Sequence, residues 1–98
     1  MNLLVVLRPE AIQDILDTLE YFESLHPGLG QTFLDRLDEG LARIRAMPEM
    51  YGLVWRNVRA MRLRKFRYVV YYRVQPACVE VLAVLHGARD SSAWRSRA

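Results

Sequence analysis

The hydrophobic pattern of this chain changes period once, near the midpoint, and that change constrains the fold more than any other feature. From Pro9 to about Leu25 the apolar residues Ile12, Ile15, Leu16, Leu19 and Phe22 recur at intervals of three, one, three and three. This spacing lays a single stripe along an α-helix, whose turn takes 3.6 residues. Asp14, Asp17 and Glu20 fall off the stripe and are expected to face water. Pro9 suits the first turn, where its missing N–H would have had no partner, and Glu10 complements the positive end of the helix dipole. His26-Pro27-Gly28-Leu29-Gly30 breaks the pattern. Phe33, Leu34, Leu37, Leu41 and Ile44 then form a second stripe, over roughly Gln31 to Ala46. Gly40 inside it costs about 1 kcal/mol relative to alanine, which close approach of the first helix would offset. Two helices joined by so short a loop read as an antiparallel hairpin.

Beyond the exit loop framed by Pro48 and Gly52, the pattern turns to β-formers. Val58–Leu63 reads as a mixed strand, with a turn at Arg64-Lys65-Phe66 that no glycine supports. Arg67–Gln75 carries Tyr68, Val69, Val70, Tyr71, Tyr72 and Val74, and Gln75-Pro76-Ala77 ends it, since proline would spoil a central strand. Cys78–His86 is apolar on both faces and reads as a central strand. The short apolar run Leu3–Leu7 fits a strand ahead of the helices, and Gly87–Ala98 reads as irregular or as a single helical turn. The expectation is one α+β domain over residues 1–98, in the order β-α-α-β-β-β. Its helix hairpin packs on a C-terminal antiparallel meander. The other face of the sheet, rich in arginine and tyrosine, is expected to stay open to a partner.

Charge sharpens that expectation. Residues 1–49 hold four arginines against nine acids, a net of −5, and residues 50–98 hold nine arginines and one lysine against two acids, a net of +8. A basic half of this kind attracts phosphates or an acidic protein. Thirteen of the fourteen cations are arginine, whose planar fork matches phosphate and carboxylate and stacks on rings. No apolar run approaches the roughly 20 residues of a membrane span, so no membrane partner is expected. The opening MNLLVVLRPEA is too short an apolar stretch, and lacks the basic lead-in, for a secretory signal. The single Cys78 excludes an internal disulfide and fits a reducing cytoplasm. His26 and His86 have no His, Cys or paired carboxylate at ligand spacing, so neither a metal nor any other cofactor is expected.

The ordered set Pro48…Gly52, Val58-Arg59, Phe66-Arg67-Tyr68-Val69-Val70-Tyr71-Tyr72-Arg73-Val74, Val81-Leu82-Ala83-Val84-Leu85-His86-Gly87-Ala88-Arg89-Asp90 and Trp94 resembles the RelE/ParE toxin superfamily, its ParE branch most. The likeness covers nearly the whole chain. It implies the toxin of a type II toxin–antitoxin system, held inactive by an antitoxin whose C-terminal segment wraps the helices and sheet. Such a segment would place acidic groups on residues 56–67 and apolar ones in the sheet or helix grooves. ParE-like members bind DNA gyrase and trap its cleaved DNA complex. RelE-like members are ribosome-dependent endoribonucleases that cut mRNA.

A metal-independent ribonuclease needs a base, an acid and cations around the phosphate. Against the RelE-like pattern, Arg89 matches the last-strand arginine, and Arg62 or Lys65 can stand for the basic residue of the second strand. The arginine expected early in the third strand falls on Val69, and the C-terminal tyrosine is replaced by Trp94, whose indole exchanges no proton. His86, three residues before Arg89, is the remaining candidate for proton transfer, against the simpler reading of a strand-end residue bonded to backbone. The primary expectation is a gyrase inhibitor binding its target through Arg59, Arg62, Arg64, Lys65, Arg67, Arg89 and Trp94. The alternatives are a ribonuclease using His86, Arg89, Arg62 and Lys65, or a chain that only binds its antitoxin. Tyr68, Tyr71 and Tyr72 invite base stacking, though core packing is the commoner use of tyrosine in a central strand.

Overall fold

The computed structural model describes residues 3–98; Met1 and Asn2, which head the apolar opening of the chain, lie outside the described residues. The elements are β1 (Leu4–Leu7), α1 (Pro9–Leu25), α2 (Leu29–Ala46), β2 (Leu53–Trp55), β3 (Val58–Arg62), β4 (Tyr68–Val74), β5 (Cys78–His86) and α3 (Ser92–Arg95). The strands form one mixed sheet in the order β1-β5-β4-β3-β2, with β1 parallel to β5 and the other neighbours antiparallel. The α+β architecture is the one the period change predicts. It gains β2, whose three residues are too short to show a period, so the meander has four strands. No described helix is long and apolar enough to cross a membrane.

The helix hairpin covers one face of the sheet. Ala11, Phe33, Leu37 and Ile44 meet Met61, Val70, Tyr72, Val79, Val81 and Val84, all buried. Phe22 and Phe33 engage Phe66 and Tyr68 with ring centroids 4.9–5.6 Å apart, which ties the helices to the β3–β4 hairpin. The two-faced character of β5 comes from its middle position and from a bulge. Tyr71 pairs with Ala83 and Tyr72 with Val81, so Leu82 has no partner. An extra residue flips the side-chain alternation. Val79 and Val81 face the helices before the bulge, and Val84 faces them after it, while Ala83 and Leu85 turn to the second face.

The helix junction is set by Glu23, whose carboxylate accepts the amides of Gly28 (3.0 Å) and Gly30 (3.1 Å). It caps α2, whose N-cap Gly28 has no side chain to do so, and α2 therefore starts at Leu29 rather than Gln31. Gly28 sits at φ 90°, a left-handed position that favours glycine. A Cβ on Gly30 would lie 2.6 Å from Leu19 Cδ1 and 3.2 Å from the Leu19 carbonyl, so this glycine is the one that admits the first helix. The expectation for Gly40 is corrected: a Cβ there would meet Met61 and Leu63 next to the sheet, not α1.

The inward face of α1 also differs from the apolar stripe. Ala11 and Thr18 are its buried residues, whereas Ile12 and Leu16 are 44% and 51% exposed. Asp14, expected in water, points inward instead. The reason lies in the sheet edge. The last β1–β5 rung is the Arg8 amide to the Val81 carbonyl at 3.0 Å, and beyond it the β1 side of β5 has no neighbouring strand. There Asp14 Oδ2 accepts the Val84 amide at 3.0 Å, and Arg97 Nη1 donates to the Leu82 carbonyl at 3.1 Å. Arg97 also binds Asp14 through both of its terminal nitrogens, at 2.6 and 3.2 Å. Backbone groups on an uncovered edge need partners, and an acid on α1 with a base from the last turn supplies them.

Candidate functional site

The second face of the sheet is only partly open. Val58, Val69, Tyr71, Leu82, Ala83, Leu85 and Trp94 form a second buried cluster. Trp94 is 4% exposed and stacks on Tyr71, with centroids 4.5 Å apart and planes at 14°. Its edge meets Trp55 at 6.2 Å, and the guanidinium of Arg56 lies over Trp55 at 4.3 Å. The single helical turn α3 thus carries an apolar anchor that covers part of the face expected to be free. Trp94, expected as a target contact, is mostly buried in this cluster and also forms part of the wall of the groove that holds Arg62 and Arg89.

Beside this cover runs an open groove of about 420 Å³ whose walls include Leu53, Val54, Arg62, Val69, Tyr71 and Arg89. Arg62 enters it from the end of β3, and Arg89 from the turn after β5, where its amide donates to the His86 carbonyl at 3.0 Å. Both arginines are exposed. Burial raises the Tyr71 phenol above its ordinary value, so it stays protonated across the physiological range. The groove can therefore hold an anion between two guanidinium groups, and its phenol is a poor proton shuttle.

The remaining expected contacts divide between other places. Arg64, Lys65 and Arg67 lie exposed in the β3–β4 hairpin, which the Leu63 amide closes on the Tyr68 carbonyl at 3.0 Å. Lys65 takes φ 68°, which completes the turn without a glycine. Lys65 and Arg67 line a separate cavity of about 400 Å³ on the helix side, with Tyr21, Phe22, Phe66, Tyr68 and His86. Arg59 is half-buried and donates to the carbonyls of Tyr51 (2.7 Å) and Glu49 (3.2 Å), holding the loop between α2 and β2.

The four ribonuclease candidates do not converge on one cavity. His86 and Arg89 share a small one of about 190 Å³, but Asp14 and Asp17 also line it, a poor setting for a phosphate. Arg62 shares the groove with Arg89, and Lys65 shares the helix-side cavity with His86. The His86 Nδ1 accepts the Ala88 amide at 3.0 Å, the strand-end role, and its ring meets Tyr68 edge-on at 5.5 Å. His26 is exposed, and among the described residues no cluster of His, Cys, Asp and Glu could hold a metal ion. Tyr72 is fully buried and donates to the Pro48 carbonyl at 2.6 Å; burial pushes its pKa up to about 12.

Sequence reasoning missed the Asp14–Arg97 pair, separated by 83 positions, because no local pattern carries it. It also missed the exposed apolar residues of the exit loop and β2, Met47, Met50, Leu53 and Val54, whose signal was their clustering in sequence around Pro48 and Gly52.

Residues 5–91 match the family model described as the ParE toxin of the type II toxin–antitoxin system, parDE. The chain is 29% identical over 84 residues to Toxin ParE2 of Mycobacterium tuberculosis, in both the CDC 1551 / Oshkosh and H37Rv strains, covering 82% of this chain and 77% of the relative. Its fold superposes with a TM-score of 0.77 on a chain of the chromosomal ParDE TA system from P. aeruginosa, at 12% identity, covering 86% of this chain and 95% of that one.

Proposed function

The chain belongs to the ParE toxin family of type II toxin–antitoxin systems, and on that premise we propose that it is a cytoplasmic inhibitor of DNA gyrase, neutralised by a cognate antitoxin. In this reading residues 1–98 act as one toxin domain. The observation that carries the reading is the groove on the second sheet face. Arg62 and Arg89 stand there together, and no histidine, lysine or carboxylate lines the walls beside them. Such a groove binds an anionic surface without transforming it. The exposed cations of the β3–β4 hairpin, Arg64, Lys65 and Arg67, add to the positive charge that attracts an anionic target.

The antitoxin reading rests on apolar surface that the fold leaves unsatisfied. Leu4 and Val6 are exposed on the edge strand β1, Ile12 and Leu16 on α1, and Leu53 and Val54 on the opposite edge strand β2. A segment that is disordered alone gains both strand pairing and apolar burial on such edges.

The test runs purified protein with gyrase and supercoiled plasmid, and in parallel with translating ribosomes. Gyrase-dependent linear plasmid, with intact mRNA and loss of the effect in Arg62→Gln/Arg89→Gln, is the expected result. Codon-linked mRNA cuts that vanish in His86→Ala would replace this reading with a ribonuclease, whose motivating observation is the cavity His86 shares with Arg89. Silence in both assays, with antitoxin binding intact, would leave a chain that serves only in the complex.

A further inference from the structure

We propose that the helix-side cavity between the last turns of α1 and the β3–β4 hairpin binds a nucleotide, a flat base joined to a phosphate. Three strand tyrosines invited base stacking, and the structure separates them. Tyr71 is stacked under Trp94, and Tyr72 is fully buried against Pro48, so neither can offer a free ring face. Tyr68 is half-buried and lines a cavity of about 400 Å³, within the range that holds small ligands. Tyr21, 54% exposed, stands on the α1 side of the same cavity, and Phe22 and Phe66 complete an aromatic lining. The charged residues on this lining are Lys65 and Arg67, and no carboxylate is among them. His86 adds a ring nitrogen that the Ala88 amide leaves free.

Aromatic walls capture any base by its π-face, and cations at the mouth fix the anion attached to it. An apolar ligand would make no use of Lys65 and Arg67. A bare phosphate would make no use of the rings. A nucleotide uses both. The site lies apart from the Arg62–Arg89 groove and shares no lining residue with it. Free mononucleotides and single-stranded ends carry the same chemistry, and the assay distinguishes them.

The full-length protein, alone and without gyrase, is titrated with adenosine monophosphate by calorimetry and with a fluorescein-labelled pentathymidylate by anisotropy. Ribose 5-phosphate serves as the phosphate without a base. Saturable binding of either nucleotide probe is expected, and the tighter of the two identifies the source. Tyr21→Ala, at a ring that is 54% exposed, weakens binding about 5- to 150-fold, the effect of removing a base–aromatic stack, and Tyr21→Phe restores it. Lys65→Gln/Arg67→Gln lowers the log–log salt slope for pentathymidylate by about 1.4, roughly 0.7 for each phosphate left without its cation. Arg62→Gln/Arg89→Gln leaves binding unchanged. The proposal is overturned if neither probe binds, if ribose 5-phosphate binds as tightly as the mononucleotide, or if Tyr21→Ala has no effect. Loss of binding in Arg62→Gln/Arg89→Gln would equally overturn it. Since gyrase is absent, none of these outcomes bears on the gyrase reading.

Discussion

Replacing Arg97 by alanine tests whether the last turn is bound to the fold as the structure indicates. The perturbation removes a two-nitrogen grip on Asp14 and a bond to the Leu82 carbonyl. Hydrogen bonds to charged groups contribute about 1.5–3 kcal/mol each, and breaking a fully buried ion pair costs about 3–5 kcal/mol. The side chains of Arg97 and Asp14 are 18% and 10% exposed, so water recovers part of the loss. Asp14 also keeps the Val84 amide. Arg97→Ala should therefore cost about 2 kcal/mol. Asp14→Ala orphans the Val84 amide and leaves the guanidinium only the Leu82 carbonyl, and should cost about 3 kcal/mol. The double variant should cost little more than Asp14→Ala, a coupling of about 2 kcal/mol, because the same bonds cannot be broken twice. Urea unfolding at pH 7, followed by tryptophan fluorescence, measures all four corners of the cycle with the slope m held as a check on two-state behaviour. Thermal midpoints should fall by roughly 8–16 °C for Arg97→Ala, at about 4–8 °C per kcal/mol in a domain this size. A loss below about 0.5 kcal/mol for Arg97→Ala, or strict additivity of the two substitutions, would refute the reasoning.

Other expectations follow from individual contacts. Trp94→Ala should destabilise by about 3–5 kcal/mol in the same urea assay, because a buried aromatic is removed; a surface contact residue would change stability by less than about 0.5 kcal/mol. Gly30→Ala should destabilise by about 1–2 kcal/mol, since the clash with Leu19 outweighs the helix propensity gained; a more stable variant would contradict the close helix approach. Tyr72 has its folded pKa raised from 10.0 to about 12, so its contribution is complete below pH 10 and is lost as pH rises towards 12. Tyr72→Phe should cost about 1 kcal/mol at pH 7, through the orphaned Pro48 carbonyl, yet lose less stability than the parent between pH 10 and pH 12. Equal alkaline losses in the two proteins would show that this phenol is not the group protected by burial.

The legible part of the molecule was its local part. The 3.6-residue spacing placed α1 at Pro9–Leu25, and the β-former run with its Pro76 turn placed β4 and β5 close to their observed bounds. The glycines were legible as breaks but not as contacts: Gly30 admits α1 and Gly40 admits Met61, which no spacing within α2 distinguishes. The candidate site was legible as a basic half of the chain and illegible as a surface. Seven residues singled out as one surface divide into a groove pair, a hairpin trio, a loop tether at Arg59 and a buried Trp94.

Composition and periodicity determined every element long enough to show a period, their order and the sign of the charge, because helix and strand formation answer to neighbours a few positions away. Tertiary structure alone decided which faces those elements show. One unpaired residue at Leu82 reverses the side-chain alternation of β5, and the early end of β1 leaves edge groups that draw Asp14 inward and bring Arg97 to it from across the chain. Unsatisfied backbone polar groups take their partners by position in space, and distance along the chain has no say in that choice.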